Sequence, residues 1–382
     1  MIEIVKKGFV SLSSLTEIKS VEAVVVAMPL KGVFTSGGKS KNTVRGVVVK
    51  IIASDGSMGI SSVDPSTRAI YPNRAEDLAM TIKTKLAPLI IGLQPTNVNR
   101  ILKTISPATE KQLGARAAIE LACVDLTSRI LGISICDYLG GAVRDKVYLN
   151  GWIGELRPDD AVVEARLWVK RGFKSLKVKV GSNVRDDITR VIAVREAIGN
   201  EVVLRMDANE QYSTQDALKL CRGVRNCELQ LFEQPVKRED LDGLLEVRRL
   251  GGIAIMADES IGDHRSLLRV IKADCSDFVK FGIAQAGGIT VASEMISTAK
   301  AAGQKVVMGH GFGLDLSTMA ELLLGFSSSN ILPGLECVGP LKVTDTITPT
   351  GIDISKGFFS LPEGSGLTID IDEKKLLRYE VT

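Results

Sequence analysis

Histidine is scarce in this sequence: 382 residues contain only His264 and His310. The six cysteines, Cys123, Cys136, Cys221, Cys227, Cys275 and Cys337, form no C-x-x-C pair. A zinc site built from Cys and His is thereby excluded, and so is a disulfide framework, which belongs to short secreted chains. No apolar run approaches the ~20 residues that a helix needs to cross a bilayer. Met1–Lys7 reads as the start of a strand and lacks the long apolar core and cleavage site of a signal peptide, so the cytoplasm is the expected location. A dominant sign of charge is also missing. The 48 basic and 45 acidic residues leave a net charge of +3, which makes no electrostatic case for nucleic acid or an anionic membrane as partner.

What is present is a normal globular mixture, with 45% hydrophobic and 24% charged residues. The length fits one large barrel or two to three domains. Val21–Met28 and Thr43–Ile52 are β-rich and flank a polar loop, Lys31–Asn42; Ser54–Gly59 reads as a turn. Helical patterns follow over Asn73–Leu93 and Thr96–Leu131, which together give an α+β arrangement. From Val147 the rhythm changes. Short β-rich segments (Val147–Asn150, Ser175–Val180, Val203–Asp207, Leu231–Glu233, Ile255–Asp258, Phe278–Gly282, Val306–Gly309 and Leu335–Glu336) alternate with helical ones such as Pro158–Lys170, Val184–Ile198, Leu241–Leu250 and His264–Ala273. Eight strands with intervening helices predict an α/β fold, a closed parallel (β/α) barrel of the TIM type.

The ends of these strands carry the chemistry. Asp207, Glu233 and Asp258 end three consecutive strands, so they converge at the C-terminal rim, where barrels hold their active sites. Three carboxylates at an apolar mouth repel one another unless a cation stands between them. Oxygen ligands on a rigid frame favour Mg²⁺ as cofactor. Lys177 and Lys179 are two residues apart on one strand and face the same side, the barrel interior. Neighbouring ammonium groups depress each other's pKa, which suits a general base near neutral pH. A lone Lys-x-Lys is common on exposed edges; the three acids beside it give it meaning.

The ordered set Lys177-x-Lys179, Asp207-x-Asn209, Glu233-Gln234-Pro235 and Asp258-Glu259-Ser260 resembles the enolase superfamily, closest to its muconate lactonizing and mandelate racemase branches. The resemblance spans nearly the whole chain. It implies an N-terminal α+β capping domain (residues 1–123), a modified TIM barrel (124–345) and a C-terminal segment that returns to the cap (346–382). By the same resemblance Asp207, Glu233 and Asp258 bind Mg²⁺, Lys179 is the base, and Lys177 tunes it and contacts a substrate carboxylate. Asn209 and Glu259 belong to the surrounding shell, and Glu336 matches a strand-eight acid that hydrogen-bonds substrate. Gly32–Gly38 and Gly56–Ser62 resemble loops that close over a small carboxylate substrate. A homo-oligomer is implied as well.

The sequence departs from that pattern on strand six, where Gly282 stands in place of a second lysine or an aspartate. Lys280, two residues earlier, either substitutes for that lysine or is a charge paired inside the barrel. His310, at the end of strand seven, is a candidate acid. His264 reads as a surface or capping residue. A single lysine base with a histidine acid points to dehydration of a small hydroxy acid or a hydroxyproline-like substrate. The alternatives are a racemase, epimerase or muconate-type cycloisomerase, and a scaffold that has lost catalysis.

Overall fold

Runs of Val and Ile, Val24–Val26 and Val47–Val49 with Ile51–Ile52, build the N-terminal layer. Strands β1 (Ile18–Ser36) and β2 (Lys39–Ala53) pair antiparallel, and β3 (Met58–Val63) pairs antiparallel with β2. The structure, a computed structural model, describes residues 16–36, 39–65, 73–309 and 311–381. Part of the Gly32–Gly38 loop and all of His310 lie outside them. Much of the expected loop Lys31–Asn42 is strand. Beyond the reach of β3 the two arms continue to pair with each other, and the C-terminal segment bridges β1 at Val26–Glu380 and Leu30–Val343.

The expected loop Gly56–Ser62 is mostly β3 and is buried from Gly59 onward. Its glycine serves packing. A Cβ on Gly59 would lie 2.2 Å from the carbonyl oxygen of Ala122, in the helix Leu113–Leu131 that crosses the strand. That helix is buried on nearly every face, because the sheet covers one side and barrel helices cover the other. The helical pattern Thr96–Leu131 divides into Val98–Thr109 and Leu113–Leu131, with the break at the polar run Glu110-Lys111-Gln112.

The strands β4 (Lys146–Tyr148), β5 (Gly151–Ile153), β6 (Ser175–Lys179), β7 (Val203–Asp207), β8 (Leu229–Glu233), β9 (Ile255–Ala257), β10 (Phe278–Phe281) and β11 (Lys305–Met308) follow. From β5 to β11 they form one parallel sheet in sequence order. The segment 331–337 closes it into a ring. Val306 bridges Ile331, Leu149 bridges Leu335, and Glu336 N–H donates to the Met308 carbonyl at 2.8 Å. The first barrel strand is therefore β5, not the expected Val147–Asn150. β4 instead pairs with β12 (Phe358–Ser360). The expected strand ends at Asn150 and overlaps β4 alone, and β5 begins one residue later. Asn183, Ser213, Asp240 and Asp263 cap successive barrel helices with their side chains, which fixes where each strand's loop ends.

The barrel floor is sealed. Leu231, Met256 and Val307 fill its interior. Beside them the fully buried Arg205 donates to the carbonyls of Pro333 and Gly334 and to Gln230 Oε1, each at 2.7 Å. Access from solvent is thus from the opposite rim, over which the N-terminal layer sits. No helix among the described residues is long and apolar enough to cross a membrane.

Two buried acids fasten that layer. Glu120, on Leu113–Leu131, accepts from Ile289 N–H (2.8 Å), Thr290 N–H (2.9 Å) and the Thr290 hydroxyl (2.6 Å) at the start of a barrel helix. Asp125 accepts from Ile60 N–H (2.8 Å) on β3 and Leu367 N–H (2.6 Å) in the C-terminal segment. That segment also returns to β1, where Val381 N–H donates to the Val25 carbonyl at 2.9 Å. Replacing Glu120 by Ala leaves buried donors unpaired at a helix N-terminus, so Glu120→Ala should destabilise the fold by ~3 kcal/mol. Urea unfolding measures it; an unchanged midpoint would show that the carboxylate does not fasten the two layers.

Candidate active site

Register sets the level of each side chain in the barrel. Lys177 pairs with Arg205, Lys179 with Asp207, and Asp207 with Glu233, so Lys179, Asp207 and Glu233 lie on one rung. Glu233 pairs with Met256, and Asp258 follows two residues later on the same face. Lys280 comes from β10, next to Val307 of β11, and Glu336 from the closing segment. All seven side chains are buried: Lys177, Lys179, Asp207, Glu233, Asp258, Lys280 and Glu336.

They form one lattice of alternating charge. Lys177 Nζ is 2.8 Å from Glu233 Oε2, 2.5 Å from Glu336 Oε2 and 3.0 Å from Asp207 Oδ2. Lys280 Nζ is 2.7 Å from Glu233 Oε1, 3.0 Å from Asp258 Oδ2 and 2.9 Å from Glu336 Oε2. Lys179 Nζ donates to Asp207 Oδ2 and to Asn209 Oδ1, both at 2.5 Å. Asn209 in turn donates from Nδ2 to Glu259 Oε1 at 3.0 Å.

The acids decide how Lys177 and Lys280 titrate. Burial alone would lower Lys177, but Asp207, Glu233 and Glu336 lift it above its ordinary value. The direction is opposite to that expected from lysine–lysine repulsion, because each ammonium has closer acids than lysines. Burial opposes the charge on Lys280 as well, and Asp258, Glu233 and Glu336 outweigh it. Burial, then Asp207 and Glu336, raise Glu233 well above the usual carboxylate range. Burial, followed by Asp258 and Asp207, pushes Glu259 up to about 8.

The backbone is bent to hold this arrangement. Asn209 (φ 42°), Glu210 (φ 68°) and Gln234 (φ 33°) are left-handed just beyond the ends of β7 and β8. The bend at Asn209 brings its N–H to Asp207 Oδ1 at 2.9 Å. Gln234 is wholly buried and serves as a clasp. Its Oε1 accepts from Asp258 N–H (3.0 Å) and Ser260 N–H (3.1 Å), while its Nε2 donates to the Val236 carbonyl and Ser260 Oγ, both at 3.0 Å.

The structure gathers every expected site residue except His310, which lies outside the described residues. Lys280 is paired inside the barrel; of its two expected roles, the geometry gives it the second. His264 does not cap its helix. Asp263 does, and His264 Nε2 meets Thr298 Oγ1 at 2.9 Å. Sequence reasoning missed Arg205 and Lys342 and gave Gln234, part of the Glu233-Gln234-Pro235 motif, no role. Arg205 is two residues before Asp207, so strand alternation alone places it inside. Lys342 follows the last strand and carries no periodic signal.

Among the described residues, no three acids, histidines or cysteines stand together closely enough to ligate an ion by themselves. Ammonium groups stand among the carboxylates instead. The donor set nevertheless fits a hard divalent cation. It is all oxygen, and Asp258 Oδ1, Glu259 Oε2 and Glu336 Oε1 are buried without a hydrogen-bond partner.

Removing the clasp tests how the carboxylates are positioned. Gln234→Leu keeps the volume but leaves the Asp258 and Ser260 N–H groups unpaired, at a cost of ~3 kcal/mol. Faster amide hydrogen exchange at both positions is the expected sign; unchanged protection would mean that the clasp does not order them.

The family described as "Enolase C-terminal domain-like" matches residues 160–375, and "Mandelate racemase / muconate lactonizing enzyme, N-terminal domain" matches residues 16–140. The N-succinyl-L-Arg/Lys racemase of Bacillus cereus is 27% identical over 96% of this chain and 98% of its own, and its crystal structure superposes with a TM-score of 0.91. The hydrophobic dipeptide epimerase of Enterococcus faecalis is 32% identical over 93% of this chain and 95% of its own. A structure of that organism's dipeptide epimerase, complexed with Mg and the dipeptide L-Leu-L-Tyr, gives a TM-score of 0.88 at 28% identity and covers 93% of this chain and 99% of that one. Muconate cycloisomerase 1 of Acinetobacter baylyi is 27% identical over 94% of this chain and 98% of its own. With both domains matched and full-length relatives on the same barrel, the chain belongs to the enolase superfamily, in its mandelate racemase and muconate lactonizing enzyme branch, and is an enzyme.

Proposed function

We propose that this enzyme is a Mg²⁺-dependent isomerase that moves the proton α to a substrate carboxylate, with Lys179 as the acid–base group working from one face. The observation that carries the reading is the placement of Lys179 at the rim end of β6, on one rung with Asp207 and Glu233. Asp207, Glu233 and Asp258 would hold the cation. When bound, Mg²⁺ supplies positive charge to the carboxylate oxygens on which the electrons of the broken C–H bond accumulate.

The chain's own residues divide the rest. Lys179 takes the α-proton and later returns one; its hydrogen bond to Asn209 Oδ1 orients the amine. Lys177, one turn of the pleat deeper and held charged by three acids, keeps an ammonium beside the developing enediolate. The barrel floor and the N-terminal layer keep water from the carbanionic carbon.

Gly282 shapes the stereochemistry. In the eight-membered ring β10 stands four places from β6, across the mouth from Lys179. Gly282 puts no side chain there, and Lys280 is bonded to three acids one layer below. Proton traffic from a single face fits addition–elimination of the cycloisomerase kind better than two-base racemisation. Dehydration, which the sequence suggested first, uses the same single base and is the second reading, favoured by Gly282 alone. The named relatives are racemases, epimerases and cycloisomerases, and their likeness supports isomerisation over dehydration.

Proton NMR in D₂O with Mg²⁺, on a panel of unsaturated, hydroxy and amino carboxylates, tests both readings. Deuterium should enter the α-position without loss of water, and Lys179→Ala should slow this by about 10²–10⁴-fold. Chelation of Mg²⁺ should abolish it. Loss of a β-hydroxyl would favour the dehydratase, and exchange that survives Lys179→Ala would sink the assignment of the base.

A further inference from the structure

Above the carboxylate lattice the mouth carries a second cationic cluster. Lys342 ends the one-turn helix Gly339–Lys342, just beyond the segment that closes the barrel. Only 5% of its surface is exposed. Its Nζ donates to the Gly311 carbonyl at 2.9 Å and lies 4.2 Å from the centre of the Trp152 ring and 4.0 Å from that of Phe312. Lys41 arrives from the other layer of the molecule, on β2, and its Nζ stands 3.4 Å from the centre of the same Phe312 ring. The two rings meet edge to face, 6.2 Å between centres. The cluster borders the reaction site, since Trp152 is the register partner of Lys177.

The electrostatics of this cluster are the reverse of those below it. In the lattice each ammonium is crowded by acids. At the mouth burial, then Lys41, Lys179 and Lys177, hold Lys342 well below the ordinary lysine value. Burial likewise brings Lys41 down to about 8, with Asp64 opposing. Positive groups brought together where water is scarce stabilise an anion placed among them. Trp152, on the strand beside Lys177, and Phe312, in edge contact with it, supply apolar surface between the two lysines and the lattice.

We propose that Lys41 and Lys342 form the subsite for a second anionic group of the substrate, a terminal carboxylate whose connecting chain lies along Trp152 and Phe312. The preferred substrates are then dicarboxylates, and the two lysines determine specificity without touching the reacting carbon. This rests on the reading that the first carboxylate is held at the Asp207, Glu233 and Asp258 end of the site.

Calorimetric titration of the whole protein with Mg²⁺ present tests it, using α,ω-dicarboxylates of graded chain length and the monomethyl ester of each. At the best length the diacid should bind about ten-fold or more tighter than its monoester, the size expected of a charge-assisted hydrogen bond. Lys342→Met should erase that preference and leave monoester binding unchanged. Lys41→Met, at a half-buried position on the other layer, should weaken the preference in the same direction and gives an independent answer if Lys342→Met fails to fold. Equal affinity of diacid and monoester, with both still requiring Mg²⁺, overturns the subsite and leaves the proposed reaction standing. A diacid preference that survives both substitutions overturns the assignment to these lysines, and so does the absence of binding at every length. A preference that needs Lys342 but is indifferent to Mg²⁺ upholds the subsite and counts against the proposed reaction.

Discussion

Everything in this barrel depends on keeping three ammonium groups and four carboxylates charged or shared in a place that water hardly reaches. Each such group costs several kcal/mol to bury alone, and the cost is offset only when partners meet at hydrogen-bond distance. Lys177 and Lys280 each reach three acids, and Glu233 and Glu336 each reach both of these lysines. A slip of one residue in any strand would turn its charge to the outside and strand its partners. The lattice therefore needs the ring closed, the floor filled by Leu231, Met256 and Val307, and the register held by the side-chain helix caps that end four of the loops.

Rigidity at the rim comes from polar groups that do no chemistry. Gln234 holds the loop that presents Asp258, and the bend at Asn209 turns the chain back onto Asp207. Glu120 and Asp125 then fix the N-terminal layer on top, so that Lys41 of one layer and Lys342 of the other reach the same ring. The mouth is built by docking two layers, and neither layer supplies it alone.

This explains what could be read from the sequence. Asp207, Glu233 and Asp258 stand out because each ends an apolar run, and Lys177 with Lys179 because alternation puts both inside. Four barrel helices were legible to the residue, since Pro158 at a first turn and Asn183, Asp240 and Asp263 at caps are local signals. Contacts around the ring are not local. That Lys280 pairs with Glu233, Asp258 and Glu336 follows from the level at which four strands meet, which no single strand encodes. β3 was hidden because Gly59 serves a helix more than sixty residues away in sequence and imitates a loop residue. Lys342 was missed for the same reason, because its partners come from other segments, whereas alternation with Asp207 places Arg205 inside.

The charge count inside the barrel also explains why strand six can lose its rim lysine. In the lattice Asp207, Glu233, Asp258 and Glu336 against Lys177, Lys179 and Lys280 leave one formal negative charge, and the buried Arg205 beneath it and Glu259 beside it offset each other. In the proposed reading a divalent cation and one substrate carboxylate bring the site to neutrality, which is the condition for filling a buried cavity with ions at modest cost. Had strand six lost its ammonium altogether, the filled site would carry an uncompensated charge. Lys280 keeps that ammonium two residues earlier on the strand, bonded to three acids. The balance of the site and its catalytic reach are thus separable. Moving one lysine down the strand preserves the first, and Gly282 leaves β10 without a base at the rim across from Lys179.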